Sequence, residues 1–247
     1  MIRLAKYFWD TGFTISPGKG FSLFSLGHLA WLGACLFLCL LLGSRYRAWG
    51  ERKRKSCLRL LAALLLLDEL FKVCSTLITG RFRVDFLPLH LCSINIFVIL
   101  ADVCRPTAAL QEILYAICLP GAALALLFPG WSYLPLCNAL CIHSFTAHIL
   151  LFLYPFLLLC GGFQPSLSRF LKALPFCLPV VAAVYCFNRS FGTNFMFLSS
   201  AGEGNPLSLF EAWLGTPGYL IGLPVLCLLC WTVLYGGQCL LKRTRRS

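Results

Sequence analysis

The chain has 247 residues, of which 59% are hydrophobic and only 12% are charged. Soluble domains carry about 25% charged residues, so the composition excludes an ordinary water-soluble globular protein. The net charge of +12 does not indicate a nucleic-acid partner, because Lys and Arg lie at the ends of apolar runs, where they set the topology of membrane proteins.

The longest uncharged stretch indicates the class of protein. Residues 113–168 include no Asp, Glu, Lys or Arg, whereas about 20 apolar residues suffice for one membrane-crossing helix. The alternation of apolar and polar residues that marks strands is absent, and a chain in lipid must satisfy its backbone in helices or a closed barrel. The sequence therefore predicts an all-α fold, a polytopic membrane helical bundle.

Seven apolar segments are predicted as the spans of a single integral membrane domain over residues 1–247. In chain order they cover roughly 21–43, 57–79, 85–104, 107–128, 134–160, 170–188 and 216–240. One long connection, 189–215, separates the last two. Most of the fifteen cysteines lie inside these apolar runs, where cysteine acts as a small buried apolar residue, so the cysteine count indicates helix packing and not the redox compartment.

The basic residues predict the orientation of the bundle. With a cytoplasmic C-terminus, 14 of the 21 Lys and Arg residues lie in segments on the cytoplasmic side, which fits the positive-inside rule with the N-terminus outside. Seven of them lie in the connection 45–59. This cluster is interpreted as a cytoplasmic anchor, and a contact with anionic lipid headgroups is compatible with that role.

The second span contains three charged residues, Asp68, Glu69 and Lys72. Each charge at the bilayer centre costs about 2.5–3.5 kcal/mol on insertion scales, so each needs a partner or a function. Asp68 and Lys72 are four positions apart and share a face, with the acid N-terminal to the base. They are predicted to form a neutral pair that packs against another helix, and Glu69 is the candidate for a substrate-binding role.

The third span places polar side chains on one helical face, at spacings of seven, three and seven: Asp85, Cys92, Asn95 and Asp102. On an ideal helix His90 points about 200° away from Cys92, so these two side chains are not expected to meet unless Pro88 bends the helix. Such a bend would bring His90 into the site as a substrate-binding candidate.

The fifth span holds Asn138, Cys141 and His148 on one face, and His143 lies about 140° around the helix from His148. Helical zinc pairs use a four-residue spacing, so the two histidines are not expected to hold a metal, and no cofactor is expected. A lone intramembrane histidine often makes a helix–helix hydrogen bond. That interpretation is favoured for His28 and for His143, with substrate binding the alternative for His143.

Cys92 and His148 have the chemistry of a nucleophile and its base. A thiol in hydrocarbon is inert unless a base lies beside it, and a histidine on a facing helix would supply one. Asn95 or Asn138 would then be a candidate donor to a developing oxyanion. Spacing alone leaves open whether these residues meet.

The connection 189–215 contains the apolar stretch NFMFL, which is unusual for a solvated loop. Either it packs simply against the bundle, or it dips into the mouth of the bundle and caps the site. In the second case Asn194 is the residue expected to touch the substrate.

Three motifs occur in the order found in a known family: LPLHLCSI at 87–94, IHSFTAHILLFLYP at 142–155 and GTNFMFLSSAGEGNPLSL at 192–209. Over residues 21–240 the chain resembles the bacterial YwaF-like integral membrane proteins, which look related to the eukaryotic transmembrane-protein-164 family. The resemblance implies a multi-pass helical bundle in a bacterial cytoplasmic membrane.

The resemblance also implies an activity. The eukaryotic proteins are reported to move acyl chains between phospholipids with a cysteine and a histidine, and by motif these residues correspond to Cys92 and His148. Phe195 stands where the third motif often has Tyr, so this chain has no phenol hydroxyl at that position.

Two functions from different classes follow. The first is a membrane-embedded lipid acyltransferase or lipid hydrolase, whose partners are membrane lipids. The second is a non-enzymatic transporter or binding protein, since intramembrane charges such as Asp68 and Glu69 also line transport paths. The sequence shows no repeat of two similar halves, which many transporters have.

Overall fold

The computed structural model describes residues 6–202 and 206–244. Over these two ranges the chain is helical and contains no strand, so the predicted all-α class is confirmed. The helices follow one another as α1 Leu26–Ala48, α2 Glu51–Ile78, α3 Leu91–Cys104, α4 Ala108–Leu127, α5 Ala139–Cys160, α6 Leu167–Phe191, α7 Leu207–Gly218 and α8 Gly222–Thr244. α4 continues through a π-helical turn at Leu114–Cys118, and α6 through a 3₁₀ turn at Leu174–Phe176.

Six helical segments of the described chain are long and apolar enough to cross a membrane: Leu26–Ala48, Val84–Cys104, Ala108–Leu127, Ala139–Cys160, Leu167–Phe191 and Leu207–Cys239. They support a multi-pass membrane protein. α2 has 28 residues and matches the predicted span 57–79, but Asp68, Glu69 and Lys72 make it more polar than these six. The count of seven spans and the orientation of the termini stay predictions.

The basic cluster at residues 45–59 is not a loop. α1 ends at Ala48 and α2 begins at Glu51, so only two residues separate the helices. Lys, Arg and Glu are good helix formers, and they extend both helices beyond the apolar runs.

Arg54 fixes the corner between α1 and α2. Its guanidinium donates hydrogen bonds to the backbone carbonyls of Tyr46 at 2.9 Å, Arg47 at 2.7 Å and Gly161 at 3.2 Å. The last carbonyls of a helix have no partner within the helix. Arg54 therefore satisfies the C-terminal end of α1 and joins it to the end of α5.

The long connection before the last span is shorter than the predicted 189–215. α6 continues to Phe191, and α7 begins at Leu207. Pro206 has helical backbone angles, and the fixed φ of proline favours a helix start. Gly215, with a left-handed φ of +65°, then interrupts the helical backbone ahead of α8.

α5 forms the centre of the bundle. It packs against α1, α2, α3 and α4, and Phe145, Leu151 and Tyr154 are among its fully buried side chains. A helix that is apolar on all sides is typical of a core position. Between membrane helices such packing stabilises the bundle through van der Waals contacts, because lipid is as apolar as the buried side chains.

His28 joins α1 to α4. Its Nε2 lies 2.8 Å from the Leu126 carbonyl oxygen, and its Nδ1 accepts a hydrogen bond from the Phe24 backbone N–H at 2.9 Å. Both ring nitrogens have partners, so the predicted helix–helix hydrogen bond of His28 is confirmed.

The cysteines form no disulfide. All fifteen are free in the structure. Cys35, Cys118 and Cys141 are buried in the core, where they fill space as small apolar side chains.

Candidate functional site

Cys92 and His148 meet in the structure. The Cys92 Sγ atom lies 3.0 Å from the His148 Nε2 atom. Cys92 is the second residue of α3, and His148 lies in the middle of α5. The distance is hydrogen-bonding contact, so the two parts of a thiol–imidazole pair are in place without any rearrangement.

The other ring nitrogen fixes the protonation of His148. Its Nδ1 lies 2.6 Å from the Ser144 backbone carbonyl, one turn earlier in α5. A carbonyl oxygen only accepts hydrogen bonds, so Nδ1 must carry the proton. Nε2 of the neutral ring then presents its lone pair to the Cys92 thiol, which is the tautomer a general base needs.

Cys92 lies at an uncapped helix N-terminus. His90 precedes the first helical residue, and no side chain caps the first turn. The Ile94 N–H is the first to bond back, to the His90 carbonyl at 3.0 Å. The earlier N–H groups of α3 give this end a partial positive charge, which favours a thiolate at Cys92.

Trp131 covers the ring of His148. The two rings stack with centroids 4.8 Å apart and an angle of 27° between their planes. Trp131 also meets Phe145 edge to face at 5.2 Å, so the indole is held from a second side. Sequence reasoning missed Trp131, because nothing in the turn between α4 and α5 points to a histidine ten positions into the next helix.

Glu69 joins α2 to the turn that contains the nucleophile. It forms an ion pair with Lys72, and it accepts a hydrogen bond from the Ser93 hydroxyl at 3.3 Å. The predicted pair was Asp68 with Lys72, and this prediction was wrong. Lys72 reaches the acid three positions away because Asp68 is engaged by another helix.

Asp68 joins α2 to the helix that contains the base. One of its carboxylate oxygens accepts a hydrogen bond from the Thr146 hydroxyl at 2.9 Å, and the other lies 3.3 Å from His143 Nδ1. His143 Nε2 lies 4.0 Å from Glu69. His143 therefore lies beside the acids of α2, but its Nδ1 has no hydrogen-bond partner within the described chain, so the predicted helix–helix hydrogen bond is not formed there. The adjacent acids Asp68 and Glu69 therefore connect α2 to α5, which contains His148, and to α3, which contains Cys92.

His90 is not on the helix, so the predicted angle of about 200° between it and Cys92 does not apply. Its backbone is extended, with φ of −67° and ψ of 152°. Its ring meets the Phe195 ring edge to face at 4.9 Å, and its electrostatic neighbours include Glu69 and His148. His90 therefore belongs to the surroundings of the site.

The predicted polar face of the third span is interrupted. Asp85 lies in a separate 3₁₀ turn, Val84–Phe86, and pairs with Arg83 at 3.3 Å. Asp102 lies at the opposite end of α3 and accepts a hydrogen bond from the Tyr154 hydroxyl at 2.9 Å. Asp85 leaves the predicted face because the span begins with a turn and becomes α-helical only at Leu91. Asp102 is on α3 but lies ten residues beyond Cys92.

The two asparagines expected at an oxyanion have other partners. Asn95 is on α3 but donates to the Leu91 carbonyl of its own helix at 2.9 Å. Asn138 is the N-cap of α5, and its side chain accepts from two backbone N–H groups of the first turn. It also donates to the carbonyls of Tyr7 and Asp10 at 2.7 and 2.8 Å, so its contacts are structural.

The segment after α6 approaches the site through Phe195 rather than Asn194. The Asn194 side chain accepts hydrogen bonds from the backbone N–H groups of Ser199 and Ser200 and orders its own loop. Phe195 is 1% exposed and touches His90. The predicted capping of the site by Asn194 is replaced by an aromatic contact one residue later.

No group of three or more His, Cys, Asp or Glu side chains that could hold a metal ion occurs within residues 6–202 and 206–244.

A family model described as the TMEM164 family matches residues 23–235. The match covers most of the chain, including Cys92, His148 and the residues around them. Only the N-terminal segment before residue 23 and the C-terminal end lie outside it. No curated protein and no solved structure matches the chain.

Proposed function

The chain belongs to the TMEM164 family, and from this premise we propose that it is a membrane-embedded lipid acyltransferase that uses Cys92 and His148. With water as the acceptor, the same site is a lipid hydrolase. The observation that supports the proposal is the 3.0 Å contact between Cys92 Sγ and His148 Nε2, with the Nδ1 proton directed to the Ser144 carbonyl.

The first step forms a thioester. Cys92 Sγ attacks the ester carbonyl carbon of a phospholipid as its thiol proton passes to His148 Nε2. The tetrahedral intermediate then breaks its bond to the glycerol oxygen. His148 returns the proton to that oxygen, so a lysophospholipid leaves and the acyl group stays on Cys92.

The second step transfers the acyl group. The hydroxyl of a lysophospholipid attacks the thioester carbonyl while His148 Nε2 accepts its proton. The bond between carbon and sulfur breaks, and His148 protonates the Cys92 thiolate to restore the starting state. A site inside the bilayer excludes water, which favours transfer to a lipid over hydrolysis.

The start of α3 supplies the charge stabilisation for both steps. Asn95 and Asn138 are occupied by other hydrogen bonds, whereas the first N–H groups of α3 have no side-chain cap. Backbone N–H groups at a helix N-terminus stabilise a negative oxygen that develops on the carbonyl carbon beside the nucleophile. They replace the asparagines in the proposal.

The acyl donor and acceptor reach the site from the bilayer. We propose that His90, Glu69 and His143 contribute to substrate binding, because they are polar groups near Cys92 and His148. The resemblance of its motifs to the bacterial YwaF-like proteins supports the further proposal that the chain acts in a bacterial cytoplasmic membrane.

Acyl transfer between defined lipids tests the proposal. Purified protein in vesicles is given a phospholipid with an isotope-labelled acyl chain and an unlabelled lysophospholipid, and the labelled product is measured by mass spectrometry. Cys92→Ala and His148→Gln are expected to abolish transfer. Cys104→Ala is the matched control, because Cys104 is an exposed cysteine on the same helix.

The outcome also separates the two classes of function. Transfer that persists at the wild-type rate in Cys92→Ala would contradict the proposal. A wild-type protein that transfers no acyl group but binds or moves lipid would favour the transporter or binding role.

A further inference from the structure

Trp131 is the aromatic residue in contact with the base. It lies in the turn between α4 and α5, and its indole stacks on the His148 ring at 4.8 Å. Its Nε1 atom is buried and has no hydrogen-bond partner within the described chain. The contact with His148 is therefore made by the face of the indole ring and not by its N–H group.

The N-terminal segment holds the turn of Trp131 in place. Phe21 N–H donates to the Ser132 carbonyl at 2.8 Å, beside Trp131 in the chain. Gly20 lies so close that a Cβ atom would approach the Ser132 oxygen to 2.0 Å, which leaves no room for a side chain. Asn138, at the other end of the turn, donates to two carbonyls of the same N-terminal segment.

From these contacts we propose that Trp131 is a positioning residue that keeps the His148 ring at Cys92 and favours its protonated form. The inference rests on the proposed function, since it concerns the base of that reaction. An aromatic face attracts a cation, and the attraction is stronger where water is excluded. Stacking therefore favours the state in which His148 has taken the thiol proton and Cys92 is a thiolate.

Other ionisable groups near the pair also act on this state. Asp68 and Glu69 approach from α2, His90 from the turn before α3 and Cys118 from α4. Lys72 acts through its pair with Glu69. Trp131 is uncharged, so replacing it leaves the charge of this set unchanged and isolates the effect of the aromatic face.

The pH profile of Cys92 alkylation tests the proposal without requiring any lipid turnover. Full-length protein in detergent is treated with iodoacetamide over a pH series, and peptide mass spectrometry follows Cys92 separately from the other cysteines. The thiolate is the reactive form. Trp131→Leu is expected to move the profile toward higher pH by about one unit, with a smaller shift in the same direction for Trp131→Phe.

The controls separate positioning from folding. Trp213→Leu removes an indole that is 86% exposed and is expected to leave the profile unchanged. If Trp131→Leu does not fold, Trp131→Phe decides the question because it keeps an aromatic ring. A folded Trp131 variant with the wild-type profile would overturn the proposal.

The alkylation profile and the acyl-transfer assay together distinguish this proposal from the proposed function. A shifted alkylation profile in a protein that transfers no acyl group would leave the role of Trp131 standing and remove the acyltransferase. An unchanged profile in a protein that does transfer acyl groups would do the reverse.

Discussion

Ser93, the residue after Cys92, donates a hydrogen bond to Glu69 on the neighbouring helix α2 at 3.3 Å. This contact fixes the first turn of α3 against α2, and Asp68, beside Glu69, does the same for α5 through Thr146. The charges of α2 therefore have a positional role: they bring together the helices that contain the nucleophile and the base.

The Glu69–Lys72 ion pair is expected to show strong coupling. Lys72→Met leaves a buried carboxylate without its cation, and removing one partner of a buried pair costs about 3–5 kcal/mol. The double variant Glu69→Gln with Lys72→Met leaves no unpaired charge of this pair. Its melting temperature in detergent should therefore exceed that of Lys72→Met alone. Melting temperatures that fall additively would contradict the account.

Thr146→Val tests the link between α2 and the base. Valine has nearly the same shape as threonine but cannot donate to Asp68, and a lost hydrogen bond to a charged group costs about 1.5–3 kcal/mol. We expect a lower melting temperature and several-fold slower acyl transfer. Thr232→Val on α8 is the control, because Thr232 is exposed and bonds only to a carbonyl of its own helix. Equal effects of Thr146→Val and Thr232→Val would contradict a specific role of the Thr146–Asp68 hydrogen bond.

Phe195 is expected to matter more than Asn194. Truncating a buried phenylalanine to alanine costs about 3–5 kcal/mol, and Phe195→Ala would also remove the contact with His90. Asn194→Ala removes hydrogen bonds of an exposed loop, so its effect on the rate of acyl transfer should be small. Comparing the transfer rates and melting temperatures of the two variants checks this order, and the reverse order would refute it.

The exposed basic residues at the corner of α1 and α2 are proposed to contact anionic lipid headgroups. Neutralising Arg45, Arg47, Arg52 and Lys53 to Gln should reduce the anionic lipid that remains bound after purification, because each basic side chain near an anionic surface contributes about 1 kcal/mol. Arg54 is left unchanged because it binds backbone carbonyls. Arg189→Gln, at the end of α6, is the control, and an equal loss with it would refute a specific patch.

The pairing of Cys92 with His148 shows how far sequence reasoning reached. The residue types indicated a nucleophile and a base, and the resemblance to a family selected the same two positions. Their contact spans 56 residues of sequence. The packing of α3 and α5 against each other and against α2 brings them together. Helical periodicity describes the faces of a single helix and does not predict which helices pack together.

Two of the wrong expectations share a physical cause. The predicted face of Asp85, Cys92, Asn95 and Asp102 assumed one continuous helix, but the segment starts with a turn and α3 begins at Leu91, so Asp85 leaves the face. The same assumption placed Asn138 on a face of α5, whereas it caps the helix. The predicted span boundaries were based on hydropathy. Hydropathy does not detect a helix cap, a turn or a charged residue that continues a helix, so the boundaries differ from the observed helix ends.

The central claim is that Cys92 holds the acyl group between donor and acceptor. Intact-protein mass spectrometry after incubation with a phospholipid, without an acceptor, measures this directly. The account predicts a mass increase of one acyl chain that is located on Cys92, is removed by hydroxylamine, is absent from Cys92→Ala and is strongly reduced in His148→Gln. Acyl transfer by a protein in which Cys92 never becomes acylated would contradict it.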